Sequence, residues 1–116
     1  MRPDEPRVWN NLGIVLERLA RPDQAHAAYL RALEAAPNYG PALINAALCE
    51  LKNGDLERAA EHLEQASAAG FRSLQATVAE AALAARQGRK TEAEALLETA
   101  RRQDPETTGK LWAELS

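Results

Sequence analysis

Large apolar and small residues alternate along the first part of the chain at the spacing of closely packed helices. Trp9, Leu12, Gly13, Leu16, Ala25, Tyr29, Ala32 and Pro37 stand at intervals of 3, 1, 3, 9, 4, 3 and 5. Trp9, Leu12 and Leu16 form one stripe, and Gly13 leaves room beside it for a neighbouring backbone. Ala25, Tyr29, Ala32 and Leu33 form a facing stripe. The pattern predicts two short helices. The first is capped by Asp4, carries Pro6 in its first turn, where a missing N–H matters little, and runs to about Ala20. The second opens at Pro22, with Asp23 at the positive end of its dipole, and stops at Pro37-Asn38.

The same beat returns without a gap. Steps of 34 lead from Ala25 to Ala59 and Ala93, from Ala32 to Ala66 and Ala100, and from Tyr29 to Leu63 and Leu97. Trp9 leads to Leu43 and Thr77. The turns read Ala20-Arg21, Gly54-Asp55 and Gly88-Arg89. Three units of equal length follow: Pro6–Tyr39, Gly40–Ser73 and Leu74–Thr107, behind a tail of residues 1–5. In unit two, a helix from Pro41 to Lys52 meets a tight Asn53-Gly54-Asp55 turn, and Gly70 before Phe71 stops the next helix. Unit three is the most divergent, with an alanine-rich Ala76–Ala85 stretch and with Thr77 and Glu80 where unit one has large apolar residues. Alanine helices bury little area per residue, so this helix is expected to pack closest and to be the least stabilised. Asp104-Pro105 closes the unit. Residues 108–116, with Leu111, Trp112 and Leu115 on one stripe, read as a final helix that covers the last unit.

On these residues the chain resembles the tetratricopeptide repeat (TPR) family, whose unit is a helix–turn–helix of 34 residues. The resemblance implies an all-α fold, a right-handed α-solenoid of three units plus a C-terminal capping helix. It also implies that the first helix of each unit lines a concave groove. That places Asn10, Ile14, Glu17 and Arg18 on the groove in unit one, and Ile44, Asn45, Leu48, Leu51 and Lys52 in unit two. In unit three it places Gln75, Val78, Ala82, Ala85 and Arg86 there. Ile14, Ile44, Leu48, Leu51 and Val78 then make an apolar strip on which a peptide or amphipathic helix can lie. The other reading is that they complete packing between units. If the strip is open, Leu48→Glu abolishes binding and leaves helicity intact. Arg18, Lys52 and Arg86 fall at one place in all three units, a basic ladder suited to an acidic segment, although lone surface charges contribute little. Co-chaperone members of the family hold a terminal carboxylate with lysine, asparagine and arginine. Here the corresponding places hold Asn10, Ile14, Asn45, Gln75 and Ala79, of which only Asn45 matches, so that specialisation is rejected.

Composition narrows the function classes. The chain has 116 residues, 46% hydrophobic but only 4% aromatic, with a net charge of −3 and a pI of about 5.4. That balance argues against nucleic acid as a partner, which calls for a basic face. No apolar run approaches the roughly 20 residues that span a bilayer, and no signal peptide opens the chain. A cytoplasmic setting is the default expectation. Cys49 is the single cysteine and reads as a buried structural thiol. His26 and His62 lie in different units without other ligands at metal-binding spacing. Glu57, Glu61 and Glu64 share a helix face that reads as solvated rather than metal-binding. There is no glycine-rich phosphate loop.

The expectation is therefore a non-enzymatic scaffold without cofactor or metal that binds a protein or peptide. Two alternatives stand beside it. The uncovered unit-one face, with Val8, Leu12, Val15 and Leu19, can pair copies into a homo-oligomer, or it can continue an array in a longer protein. The chain can also be a recruitment piece of a larger enzyme.

Overall fold

A computed structural model describes residues 5–115. Among them run seven helices: α1 (Pro6–Arg18), α2 (Pro22–Ala35), α3 (Gly40–Lys52), α4 (Leu56–Ala68), α5 (Leu74–Arg86), α6 (Lys90–Gln103) and α7 (Pro105–Leu115). They form hairpins in chain order, α1 with α2, α3 with α4 and α5 with α6. Each second helix packs on the first helix of the next hairpin, and the first helices touch in sequence, α1 with α3 and α3 with α5. The result is an all-α solenoid.

Four helices end in the same way. The residue after the cap takes a left-handed conformation, with φ of 58° at Ala20, 80° at Gly54, 77° at Gly70 and 81° at Gly88. The following amide then reaches back to an unpaired carbonyl: Arg21 to Leu16 at 2.9 Å, Asp55 to Glu50 at 2.8 Å, Phe71 to Ala66 at 2.9 Å and Arg89 to Ala84 at 2.8 Å. Alanine in that conformation costs roughly 1–2 kcal/mol, which glycine avoids. Because Ala20 must adopt it, α1 ends at Arg18, short of the expected Ala20. The expected cap Asp4 lies outside the described residues; Glu5 holds the cap position without a side-chain bond.

The space beside Gly13 is filled by a ring, not by a backbone: a Cβ there would run into Tyr29. One step of 34 further the same two places hold Ala47 and Leu63, and then Ala81 and Leu97. Unit one thus has a smaller residue facing a larger one. A larger buried cluster runs from Leu43 through Val78 to Leu115, and a smaller one joins Ala25, Tyr29, Ala46 and Cys49.

Helix α7 begins at Pro105, ahead of the expected 108, because Asp104 caps it. Asp104 Oδ1 accepts from the Thr107 amide at 3.0 Å and Oδ2 from the Thr107 hydroxyl at 2.7 Å. Beyond packing on α5 and α6, α7 reaches α3, two hairpins back, whereas α5 makes no such contact with α1. It therefore leans across the wall of first helices. Two of its residues weaken it. Gly109 sits mid-helix with open space where a Cβ would be, at about 1 kcal/mol relative to alanine. The Thr108 hydroxyl is fully buried with no hydrogen-bond partner among the described residues, which costs about 1–3 kcal/mol.

Candidate functional site

The wall made by α1, α3 and α5 carries every residue expected on the groove, but it is not the open apolar surface anticipated. Ile44, Leu48, Leu51, Val78 and Ala82 are buried. Ile14 is half-buried against the cluster of Ala25, Tyr29, Ala46 and Cys49. The reason is physical: the alanine-rich α3 and α5 pack on each other, and Leu111, Trp112 and Leu115 of α7 join the cluster that holds Ile44, Leu48, Leu51, Val78 and Ala82. Leu48 is only 8% exposed, so Leu48→Glu would disrupt the core rather than report on binding.

The other residues expected on the groove are mostly polar. Asn45 Nδ2 donates to Asn10 Oδ1 at 3.0 Å, joining α3 to α1, and Asn10 is buried. Glu17 accepts from the Tyr29 hydroxyl at 2.8 Å and faces Cys49 Sγ at 3.5 Å. Burial first, and the Glu17 carboxylate second, push the Cys49 thiol up to about 12. The Tyr29 hydroxyl is raised for the same reasons. A thiol so disfavoured as thiolate is a poor nucleophile. Glu17 and Lys52 also share a cleft of about 370 Å³ with Ala20, Pro22, Cys49 and Asn53. Arg18 and Gln75 are exposed, and Ala85 is half-buried.

Two rungs of the basic ladder are engaged by the chain itself. Lys52 Nζ lies 3.9 Å from Glu114 Oε2 on α7. The Arg86 guanidinium donates to the Leu51 carbonyl at 2.5 Å and to the Leu115 carbonyl at 2.6 Å. It thus bridges the negative ends of α3 and α7, the place where a cation is most favoured on a helix.

One cluster escaped the sequence reading. Glu50 is 1% exposed, and His62 Nδ1 at 2.7 Å and His26 Nε2 at 2.9 Å donate to its two oxygens. It joins α2, α3 and α4. The signal was present: Glu50 stands one step of 34 after Leu16 and one before Ala84, a charge at an otherwise apolar position. The histidines are 36 apart, so the repeat step passes them by. At the other junction, crevices of about 340 and 240 Å³ between α4 and α5–α6 share Ser67 and Glu80. Burial raises the Glu80 carboxyl, Arg72 opposes that, and Glu92 adds to it. Glu57, Glu61 and Glu64 are exposed, and no group of three potential ligands among the described residues could hold a metal ion. No described helix is long and apolar enough to cross a membrane.

Hairpins stacked by first helices on one wall define the class of helical-repeat scaffolds. The tetratricopeptide repeat model matches residues 1–40, 10–72 and 44–107, and the chain belongs to that family. Over 63 residues, 54% of this chain, it is 38% identical to a peroxisomal targeting signal receptor of Eremothecium gossypii. It is 36% identical over the same length to receptors of that name from Candida glabrata and Candida albicans. The match spans 11% of each relative's length. Family and relatives together support a protein-binding scaffold.

Proposed function

We propose that this chain is a non-enzymatic interaction scaffold, acting in a cytoplasmic setting, that holds a peptide or helical segment of another protein along the wall of first helices. The observation that carries the reading is the polar edge of the wall, where Arg18 and Gln75 are exposed and Asn45, held by the buried Asn10, is half-buried. Side-chain amides both donate and accept, so they suit the backbone of a bound segment. The relatives are named as receptors for a targeting signal, which agrees with an array that holds part of another protein. Photo-crosslinking residues placed at Arg18 and Gln75, and separately at Glu57 and Glu98 on second helices, test it in lysate of the source. Capture of one partner from positions 18 and 75 but not from 57 and 98 supports the wall; equal capture from both sets rejects it.

One observation favours a second reading, association between copies. Leu12, Val15 and Leu19 on α1 are 42%, 48% and 59% exposed, whereas Ala46 and Cys49, at the corresponding steps of α3, are buried beside α2. Light scattering over a wide concentration range decides this. A monomer throughout removes it, and a dimer abolished by Leu12→Lys with Val15→Lys sustains it.

A further inference from the structure

Resting on that reading of the wall, we infer that α7 is a displaceable stand-in for the bound segment. The partner is then an amphipathic helix of the same chemistry, with apolar residues at i, i+1 and i+4 and a carboxylate just before the last of them.

The occupant is already in place. Leu115 lies in the buried cluster with Ile44, Leu48, Leu51, Val78 and Ala82, and Leu111 and Trp112 pack against it. Glu114 meets the Lys52 ammonium, and Arg86 takes the Leu115 carbonyl. The wall thus offers an apolar floor, an ammonium on one edge and a guanidinium that takes a backbone carbonyl. All three are supplied by α3 and α5, and α6 packs on α7 from beside them.

The hold of α7 is built to yield. It packs on α5 and α6 and also reaches α3, yet it carries Gly109 in open space and the buried Thr108 hydroxyl, which has no hydrogen-bond partner among the described residues. A rival helix with alanine and an apolar residue at those two steps lacks both handicaps. Gly109→Ala alone strengthens α7 about fivefold, and filling the Thr108 site without a hydroxyl adds about tenfold. A competitor of that kind can overcome the tether, whose effective concentration is on the order of millimolar.

The test uses the full chain and a fluorescent peptide with the sequence of residues 105–115. Glu114→Lys with Leu115→Ser loosens α7, and Thr108→Val with Gly109→Ala tightens it. The peptide is expected to bind the loosened chain at least tenfold more tightly than the unaltered one, and the tightened chain least of all. Equal affinity for all three chains, or no binding to a loosened chain that keeps the circular dichroism and cooperative melting of the parent, overturns the proposal. The tightened chain covers the case in which the loosened one fails to fold. It is more stable than the parent, and hydrogen exchange of residues 107–115 must slow in it relative to α3; unchanged exchange rejects the displaceable helix. If peptide binding fails while crosslinking from positions 18 and 75 still captures a partner, the stand-in falls and the wall reading survives.

Discussion

The junction between units one and two and the junction between units two and three are built from the same helix pattern, yet they are closed by different means. The first is knitted by buried polar bonds. Asn10 meets Asn45, Glu17 faces Cys49, and Glu50 takes His26 across the junction and His62 within its own unit. Across the second, the Arg86 guanidinium donates to the Leu51 carbonyl, and no pair of side chains among the described residues is joined as in the first. Glu80 replaces an apolar side chain, two crevices open beside it, and α7 meets both sides of the junction, Arg86 of α5 and Lys52 of α3. Buried polar bonds require specific geometry and are costly to leave half-made, so they fix one arrangement. A helix seated on an apolar floor can leave and be replaced. Rigidity therefore belongs to the first junction and exchange to the second.

Breaking the first junction should have the largest effect. Glu50→Ala removes a buried acceptor of two bonds and leaves a void. It is expected to destabilise by about 3 kcal/mol, on the order of 10 °C in melting temperature. Gly13→Ala forces a methyl into the Tyr29 ring, which is buried and held through its hydroxyl, and should destabilise by about 2 kcal/mol. The alanine substitution at Gly109, in open space, should do the opposite and stabilise by about 1 kcal/mol. Urea denaturation of the two variants side by side checks the contrast in sign.

Alkali should also act first on the junction of units one and two. Cys49 and Tyr29 both have raised values in the folded chain, so the unfolded chain gives up protons first. Their contribution is fully present below the ordinary cysteine value near 9 and is lost as pH rises toward about 12. Denaturation midpoints measured between pH 7 and 11 should fall above pH 9, and Cys49→Ala should flatten that fall. The smallest effects belong to Ala20→Gly, which relieves the left-handed alanine by about 1 kcal/mol, and to Glu80→Met. The latter should stabilise by about 0.5 kcal/mol at pH 7, because burial already disfavours the ionised carboxyl.

Much of the fold was legible because small residues recur where helices touch. Ala25, Ala59 and Ala93 share one place in the repeat, and all three are buried. The glycine turns were legible through their left-handed requirement at Gly54, Gly70 and Gly88. The wall was less so. Spacing places Leu48 and Val78 on a first helix, but nothing in it fixes how α3, α5 and α7 pack together, and that packing decides whether they see solvent. Arg86 followed the ladder pattern, yet the carbonyls it caps come from α3 and α7, distant in sequence. The Glu50 cluster was hidden because its two histidines do not obey the repeat step.

Hydrogen exchange followed by mass spectrometry or NMR on the unaltered chain tests most directly whether α7 is an exchangeable occupant of a fixed wall. The amides of residues 107–115 are expected to exchange through a local opening, at least tenfold faster than those of α3, while the amides of α3 and α5 stay protected together. Exchange of α7 at the same rate and with the same denaturant dependence as α3 would contradict the account.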